Sequence, residues 1–349
     1  MGETGLPREG VLLYESVLYE SDDGSITVLD IPRTLEESQT LPGRRAPPPR
    51  RILSAQPVDA PFETPDPKCR DGHVLAVPQN PQNKSPAAQI ADLMTAAACQ
   101  SALDHLRSSY AGPFHLPRLI DHGDAPSVPA DAGSFIPDQA TILHGSLQDL
   151  SQTVRDTAPA FDLVLLDPPW PNRSARRRTD NYSTVPNLTA MSHLLDHVPI
   201  PSHLAPGGLV AIWITNRSSV LDFVNGASGL FASWGLEQVA EWTWLKVTTS
   251  GDPIFDLDST WRKPWEKLLI AKRVGATTPA GLGPRTIVAV PDLHSRKPNL
   301  RGMFAHVLGP SFTGLEVFAR NLTAGWWSWG DEVLQFQQQP HWASSEQAR

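Results

Sequence analysis

The chain has 349 residues, a formal net charge of −8 and a pI near 5.7, long enough for two domains or for one domain with a large extension. The acidic balance excludes a polycation, so any nucleic-acid contact must come from local basic patches. Two cysteines, Cys69 and Cys99, have no metal-type spacing, which excludes a disulfide framework and a cysteine zinc site. No metal is expected.

The amino terminus, Met1-Gly2-Glu3-Thr4-Gly5, is polar, and no stretch approaches the roughly 18 uninterrupted apolar residues of a membrane span. A soluble intracellular protein in a reducing compartment is the expectation. Residues 11–31 hold two short apolar runs around Asp22-Asp23-Gly24, which predicts a β-hairpin. From 43 to 60, prolines and Arg44, Arg45, Arg50 and Arg51 predict an exposed linker. Ile90, Leu93, Ala97, Ala98, Leu103 and Leu106 recur at helical spacing after Ser85-Pro86 and predict a helix over 86–108. The Pro, Gly and Asp-rich stretch 121–138 marks a boundary. Residues 1–130 are read as an amino-terminal accessory region and 131–349 as the main domain.

All eleven tryptophans lie at or beyond Trp170, and there the periodicity turns α/β. Strands are predicted at 141–143, 161–166, 209–214, 239–247, 267–271, 286–290 and 314–318, with helices at 189–197 and 219–234. A doubly wound sheet with helices on both faces is the economical arrangement. No Gly-x-Gly-x-x-Gly follows a strand, which counts against a dinucleotide dehydrogenase.

The chemistry concentrates at Asp167-Pro168-Pro169-Trp170, directly after the apolar run 161–166. A strand buried on both faces would present this turn at its carboxyl end, where open α/β sheets bind ligands. An exocyclic amine such as N6 of adenine is a poor nucleophile, because its lone pair is delocalised into the ring. Two fixed acceptors, the Asp167 carboxylate and the Pro168 carbonyl, could hold its two hydrogens, with Pro169 stiffening the loop. Trp170 would stack on the base or, alternatively, cap the core.

These residues and their neighbours resemble the MT-A-type N6-adenine methyltransferases, and within them the methyltransferase-like-four (METTL-four) branch. The likeness spans about 134–338. It includes Asn172-Arg173-Ser174 with Tyr182, Trp213-Ile214-Thr215-Asn216-Arg217, Ala240 to Lys246, Leu293 to Pro298, Glu316 to Asn321, and Ser328-Trp329-Gly330. The resemblance implies a Rossmann-like class I methyltransferase sheet with the catalytic motif before the main cofactor strand, and S-adenosylmethionine as cofactor. It implies Lys297 on the cofactor carboxylate, with Arg296 where the family more often has histidine. Glu316, Arg320 and Asn321 are placed on the amino-acid and ribose groups, with Asp331 and Glu332 beside the ribose. Asp167 is counted with the cofactor residues as well, and the loop 144–146 with Gly145 and Ser146 is placed against the adenine. Glu316 reads equally well as the charge partner that orients Arg320. No separate general base is required, because the methylated amine is acidic enough to release its proton to Asp167 or to water.

Asn172, Arg173, Ser174, Arg176, Arg177 and Arg178 follow the catalytic turn, and this loop is expected to hold phosphates. Tyr182 and Asn216 are expected beside the substrate. The target adenosine must be single-stranded or flipped out. The resemblance points to RNA in the nucleus, with the cytoplasm as a second location, and to an internal 2′-O-methyladenosine of a spliceosomal small nuclear RNA. A DNA N6-adenine methyltransferase of the same fold and a catalytically silent nucleic-acid-binding subunit are the alternatives. No membrane contact and no obligate partner are expected.

Overall fold

The computed structural model describes residues 14–43, 48, 50–63, 86–120, 133–171, 185–259 and 262–344. The elements in chain order are β1 (Val17–Glu20), β2 (Ile26–Leu29), α1 (Ile31–Ser38), β3 (Arg50–Ser54), α2 (Pro86–Ser109), β4 (Leu119–Ile120), β5 (Thr141–His144), α3 (Leu147–Thr157), β6 (Phe161–Leu166), α4 (Leu188–Leu195), α5 (Ile200–His203), β7 (Leu204–Ile214), α6 (Ser218–Asn225), α7 (Leu230–Ser233), β8 (Leu236–Lys246), β9 (Trp265–Arg273), β10 (Arg285–Ala289), α8 (Arg301–Leu308), β11 (Gly314–Val317), β12 (Trp327–Gly330) and β13 (Trp342–Ser344).

Ten strands form one mostly parallel sheet in the order β1-β2-β10-β8-β9-β7-β6-β11-β12-β5. The pairs from β7 to β5 are parallel, whereas β9 runs antiparallel to both β7 and β8. The α/β reading therefore holds, with β1 reversed at the edge and β9 reversed within the sheet, the latter not distinguished by the apolar runs. Strand β6 shows why its sequence is a continuous apolar run. Phe161, Val164 and Leu166 face one layer, while Leu163 and Leu165 face the other, so both faces are buried. Helices α3 to α7 cover the first face, and α1 and α8 cover the second.

The chain leaves β6 toward β7 on one side, while β11 continues toward β12 on the other. The gap between the carboxyl ends of β6 and β11 is thus the topological switch point, where ligands of such sheets bind. Asp167 is tied across it by its backbone N–H, which donates to the Val317 carbonyl at 3.3 Å.

Three expectations are revised. The amino-terminal elements are not packed apart: β1 and β2 form the predicted hairpin but extend the main sheet alongside β10, and Leu29, Ile31, Leu35 and Ile52 share one buried cluster with Trp213 and Leu268. A short hairpin has too little apolar area to stand alone, and the sheet edge supplies it. Arg50 and Arg51 belong to β3, which pairs with β13 and β4, because Arg51 pairs with the buried Glu36 at 2.8 Å and Arg50 lies 3.6 Å over the Phe135 ring. Arg44 and Arg45 lie outside the described residues. Finally, α2 buries Leu103 and Leu106 against Leu245 and Val288 but leaves Ile90 58% and Leu93 67% exposed. Its first half turns the small Ala88 and Ala91 toward Ile214 and Leu221 instead.

Candidate active site

After β6 the chain makes a γ-turn-like bend, in which the Trp170 N–H donates to the Pro168 carbonyl at 2.8 Å. The carbonyl keeps a second lone pair for another donor. Pro171 ends the described part of this loop, and its carbonyl accepts from Arg217 Nη1 at 2.6 Å. Arg217 therefore pins the catalytic turn to the start of α6.

Trp170 takes the second of its two readings. Its ring is 7% exposed, lies edge-on to Phe223 at 6.1 Å and donates through Nε1 to the Trp213 carbonyl at 2.8 Å. A buried indole N–H needs a partner, and this one anchors the turn to β7. The expected stacking surface is thus engaged in the core.

Beside the turn runs a chain of alternating charges. Lys297 Nζ lies 3.3 Å from Asp167 Oδ1 and 2.8 Å from Glu266 Oε2, and Lys246 Nζ pairs with Glu266 Oε1. Burial pushes the Glu266 carboxyl up, but the ammonium groups of Lys246 and Lys297 more than offset this and hold it well below the usual carboxylate range. Burial likewise opposes the charge of Lys297, and Asp167 and Glu266 overcome it and raise its pKa. Lys297 is thus held between the Asp167 and Glu266 carboxylates. Glu266 was missed in the sequence because a charge at the start of an apolar strand reads as a solvated end. Lys246 stood within a matched motif without a role.

The neighbouring Arg296 is fully buried, donating to Asp292 Oδ2 at 2.6 Å and to the Leu53 carbonyl at 2.9 Å. Arg118 holds the same loop through the carbonyls of Val290 and Pro291, each at 2.9 Å. The amino-terminal strands thereby fix the loop that carries Lys297, which explains an arginine at position 296. His294 is pushed down by burial and by the cations Lys246, Lys297 and Arg320, against the pull of Glu266. It is neutral near pH 7.

In the loop that carries Lys297, Ser295 has φ 69°, and on the other side of the switch point Phe318 has φ 61°. Both are non-glycine residues in the left-handed region, the kind of local strain that gathers at binding sites. A cleft lined by Pro169, Phe318, Arg320, Asp331 and Glu332 opens there, floored by Gly330 and bounded by Leu147. Arg320 Nε pairs with Glu332 Oε2 at 3.0 Å. Glu316, half-buried on β11, is pushed up to about 8 by burial and by the Asp167 charge, against Arg320. It is therefore largely protonated at pH 7 and able to donate.

Gly145 and Ser146 reach the same edge, with the Gly145 N–H donating to the Gly330 carbonyl at 3.3 Å. The Ser146 hydroxyl, however, caps α3 by accepting from the Asp149 N–H at 3.1 Å. Asn216 lies at the end of β7, where its side chain donates to the Trp265 carbonyl at 2.6 Å. This bond braces β7 against β9. Asn172, Arg173, Ser174, Arg176, Arg177, Arg178 and Tyr182 lie outside the described residues.

The cleft fits a cofactor that carries a carboxylate, an ammonium group and ribose hydroxyls. Asn321 Nδ2 is buried without a hydrogen-bond partner, a costly state that a ligand acceptor would relieve. Arg320 offers positive charge, while Asp331 and Glu332 offer hydroxyl acceptors. Asn321, Arg320, Asp331 and Glu332 would hold the group; Glu316 would donate to it.

The MT-A70 family model matches residues 161–332, from the start of β6 through the cleft. The N6-methyladenosine RNA methyltransferase MTA1 of Cryphonectria parasitica is 49% identical over 95% of this chain and 95% of its own length. Its namesake in Pyricularia oryzae is 40% identical over 95% of this chain and 97% of its own. The mouse N(6)-adenine-specific methyltransferase METTL4 is 38% identical over 61% of this chain and 45% of its own. The chain belongs to the MT-A70 family of S-adenosylmethionine-dependent N6-adenine methyltransferases.

Proposed function

We propose that this protein methylates N6 of adenosine in single-stranded or locally opened RNA. The observation that carries the chemistry is the pair of acceptors at the switch point: the Asp167 carboxylate, held by Lys297 at 3.3 Å, and the Pro168 carbonyl. Together they would accept the two N6 hydrogens and draw the amine toward tetrahedral geometry, with little reorganisation left for the reaction itself. S-adenosylmethionine supplies a methyl group on positively charged sulfur. The N6 lone pair forms the new carbon–nitrogen bond as the sulfur–carbon bond breaks, and the surplus proton on nitrogen passes to Asp167 or to water.

The choice of RNA rests on the fungal relatives, which bear that substrate in their names and align over almost the whole chain. The narrower target, an internal 2′-O-methyladenosine of a spliceosomal small nuclear RNA, rests on the resemblance to the methyltransferase-like-four branch. The mouse relative of that branch aligns over 61% of the chain. We therefore take the RNA reading without a requirement for the 2′-methyl group. A nuclear location rests on the same resemblance alone.

The test is a comparison of methyl transfer to three oligonucleotides of one sequence: RNA, the same RNA with a 2′-O-methyl group on the target adenosine, and DNA. Faster transfer to unmodified RNA is expected. Preference for the modified RNA would restore the narrower target, preference for DNA would replace the substrate, and cofactor binding without transfer to any of them would indicate a silent subunit.

A further inference from the structure

The loop joining β8 to β9 carries Phe255, and the segment that follows β3 lays Phe62 against it. Phe62 is 50% exposed, and its ring lies 5.5 Å from that of Phe255, centroid to centroid, at an interplanar angle of 38°. The Arg262 guanidinium lies over the Phe255 ring at 5.6 Å. Neither phenylalanine belongs to a buried apolar cluster. Core packing therefore does not account for them.

Backbone hydrogen bonds tie the pair to the charge chain. The Phe62 N–H donates to the Ile254 carbonyl at 2.9 Å, and the Ile254 N–H to the Lys246 carbonyl at 3.1 Å. The Lys246 N–H in turn donates to the Pro264 carbonyl at 2.7 Å, two residues before Glu266. A further bond, from the Thr249 N–H to the Val58 carbonyl at 2.9 Å, holds the segment bearing Phe62 against the loop. The rings are thus tied through backbone bonds to the strands that carry Lys246 and Glu266.

We propose that Phe62 and Phe255, assisted by Arg262, form a stacking platform for a base flanking the target adenosine. The inference rests on the RNA reading above and deepens it. Aromatic faces bind bases of any identity, and an arginine above a ring adds a cationic contact. The exposed carboxylates of Asp252, Asp256 and Asp258 lie on the same loop, which disfavours a broad phosphate-binding surface here. The platform therefore recognises the base and not the backbone. It also gives a role to two rings outside the core now that Trp170 is engaged within it.

The test uses the full chain and a fluorescent single-stranded RNA with one adenosine. Phe62→Ala should weaken RNA binding about tenfold and leave S-adenosylmethionine affinity unchanged. Phe62→Trp, which keeps the stacking face, should retain binding. Abasic replacement of the flanking nucleotides should weaken the wild-type complex similarly, but add little to the loss in Phe62→Ala. Wild-type methyl transfer to RNA combined with unaltered affinity in Phe62→Ala and Phe255→Ala would overturn the platform alone. No transfer to any RNA by the wild-type protein would overturn the substrate reading, and the platform with it.

Discussion

The two sides of the switch point are built on different electrostatic plans. Toward β7, β9 and β8, the chain Asp167, Lys297, Glu266, Lys246 alternates in sign, and each member is paired within the protein. Toward β11 and β12, Asn321 has a buried amide nitrogen without a partner, and Glu316 holds its proton to about 8. The first side is preorganised, with charges already fixed where the reaction needs an acceptor. The second keeps hydrogen-bonding capacity in reserve for a ligand. In the proposed mechanism the first side would serve chemistry and the second cofactor capture.

The sharpest way to break this division is Asp167→Asn. The amide exchanges a carboxylate acceptor for a weaker, neutral one and removes a partner of Lys297, so methyl transfer should fall on the order of 10² to 10³-fold. Circular dichroism should show an unchanged fold, because the residue sits at a strand end and not in the core. A variant with near wild-type turnover would remove Asp167 from the mechanism.

Glu266→Gln should come next. It leaves Lys246 and Lys297 without their shared counter-charge, and a loss of about 1 to 3 kcal/mol of stability is expected for partly buried partners left unmatched. The pH dependence gives a second readout. The Glu266 pKa is held below its unfolded value, so the stability it contributes is present above about 4.5 and lost as the pH falls through the folded value. Glu266→Gln should flatten that acid limb. Turnover should drop while cofactor affinity holds, and a matching loss of both would merge the two sides into one.

Asn321→Ala should do the reverse. Loss of a hydrogen bond to a charged ligand group should weaken S-adenosylmethionine binding about tenfold, as measured by calorimetry without RNA. The melting temperature of the free protein should not fall, since a buried amide without a partner is being removed. A clear drop in melting temperature with unchanged affinity would assign Asn321 to the fold.

For Glu316→Gln the readout is stability against pH and not turnover. Because the folded-state pKa is raised from 4.5 to about 8, the stability it contributes is fully present below about 4.5 and is lost as the pH rises through about 8. Urea melts of the variant across that window should vary less with pH than those of the wild type. Parallel curves would show that Glu316 ionises normally.

Much of this architecture was legible in the sequence, and the parts that were not share physical causes. Buried parallel strands are apolar on both faces, so β6, β7 and β10 appeared as continuous runs, and the catalytic turn could be located from β6 alone. Strand β12 was missed because its Trp327-Ser328-Trp329-Gly330 is too short and too mixed to show a period. The reversal of β9 leaves no trace in residue type, since an antiparallel strand inside a covered sheet is as apolar as its neighbours. Strand β3 was hidden by flanking prolines and arginines that compose an exposed linker equally well. Trp170 could serve a base or the core with the same ring, and only the bond from its Nε1 to Trp213 decides between them. The charge chain emerged only when β8, β9 and the Lys297 loop were brought together in space.

The central claim, that the acceptor pair at Asp167 and Pro168 presents N6 of adenosine in RNA to the methyl donor, is tested most directly by the atom that receives the methyl group. The wild-type protein would be incubated with S-adenosylmethionine carrying a deuterated methyl group and an RNA containing a single adenosine, and the digested nucleosides would be separated and identified by mass spectrometry. The account predicts deuterated N6-methyladenosine as the product. Label on N1 of adenine, on a ribose hydroxyl or on another base would contradict it.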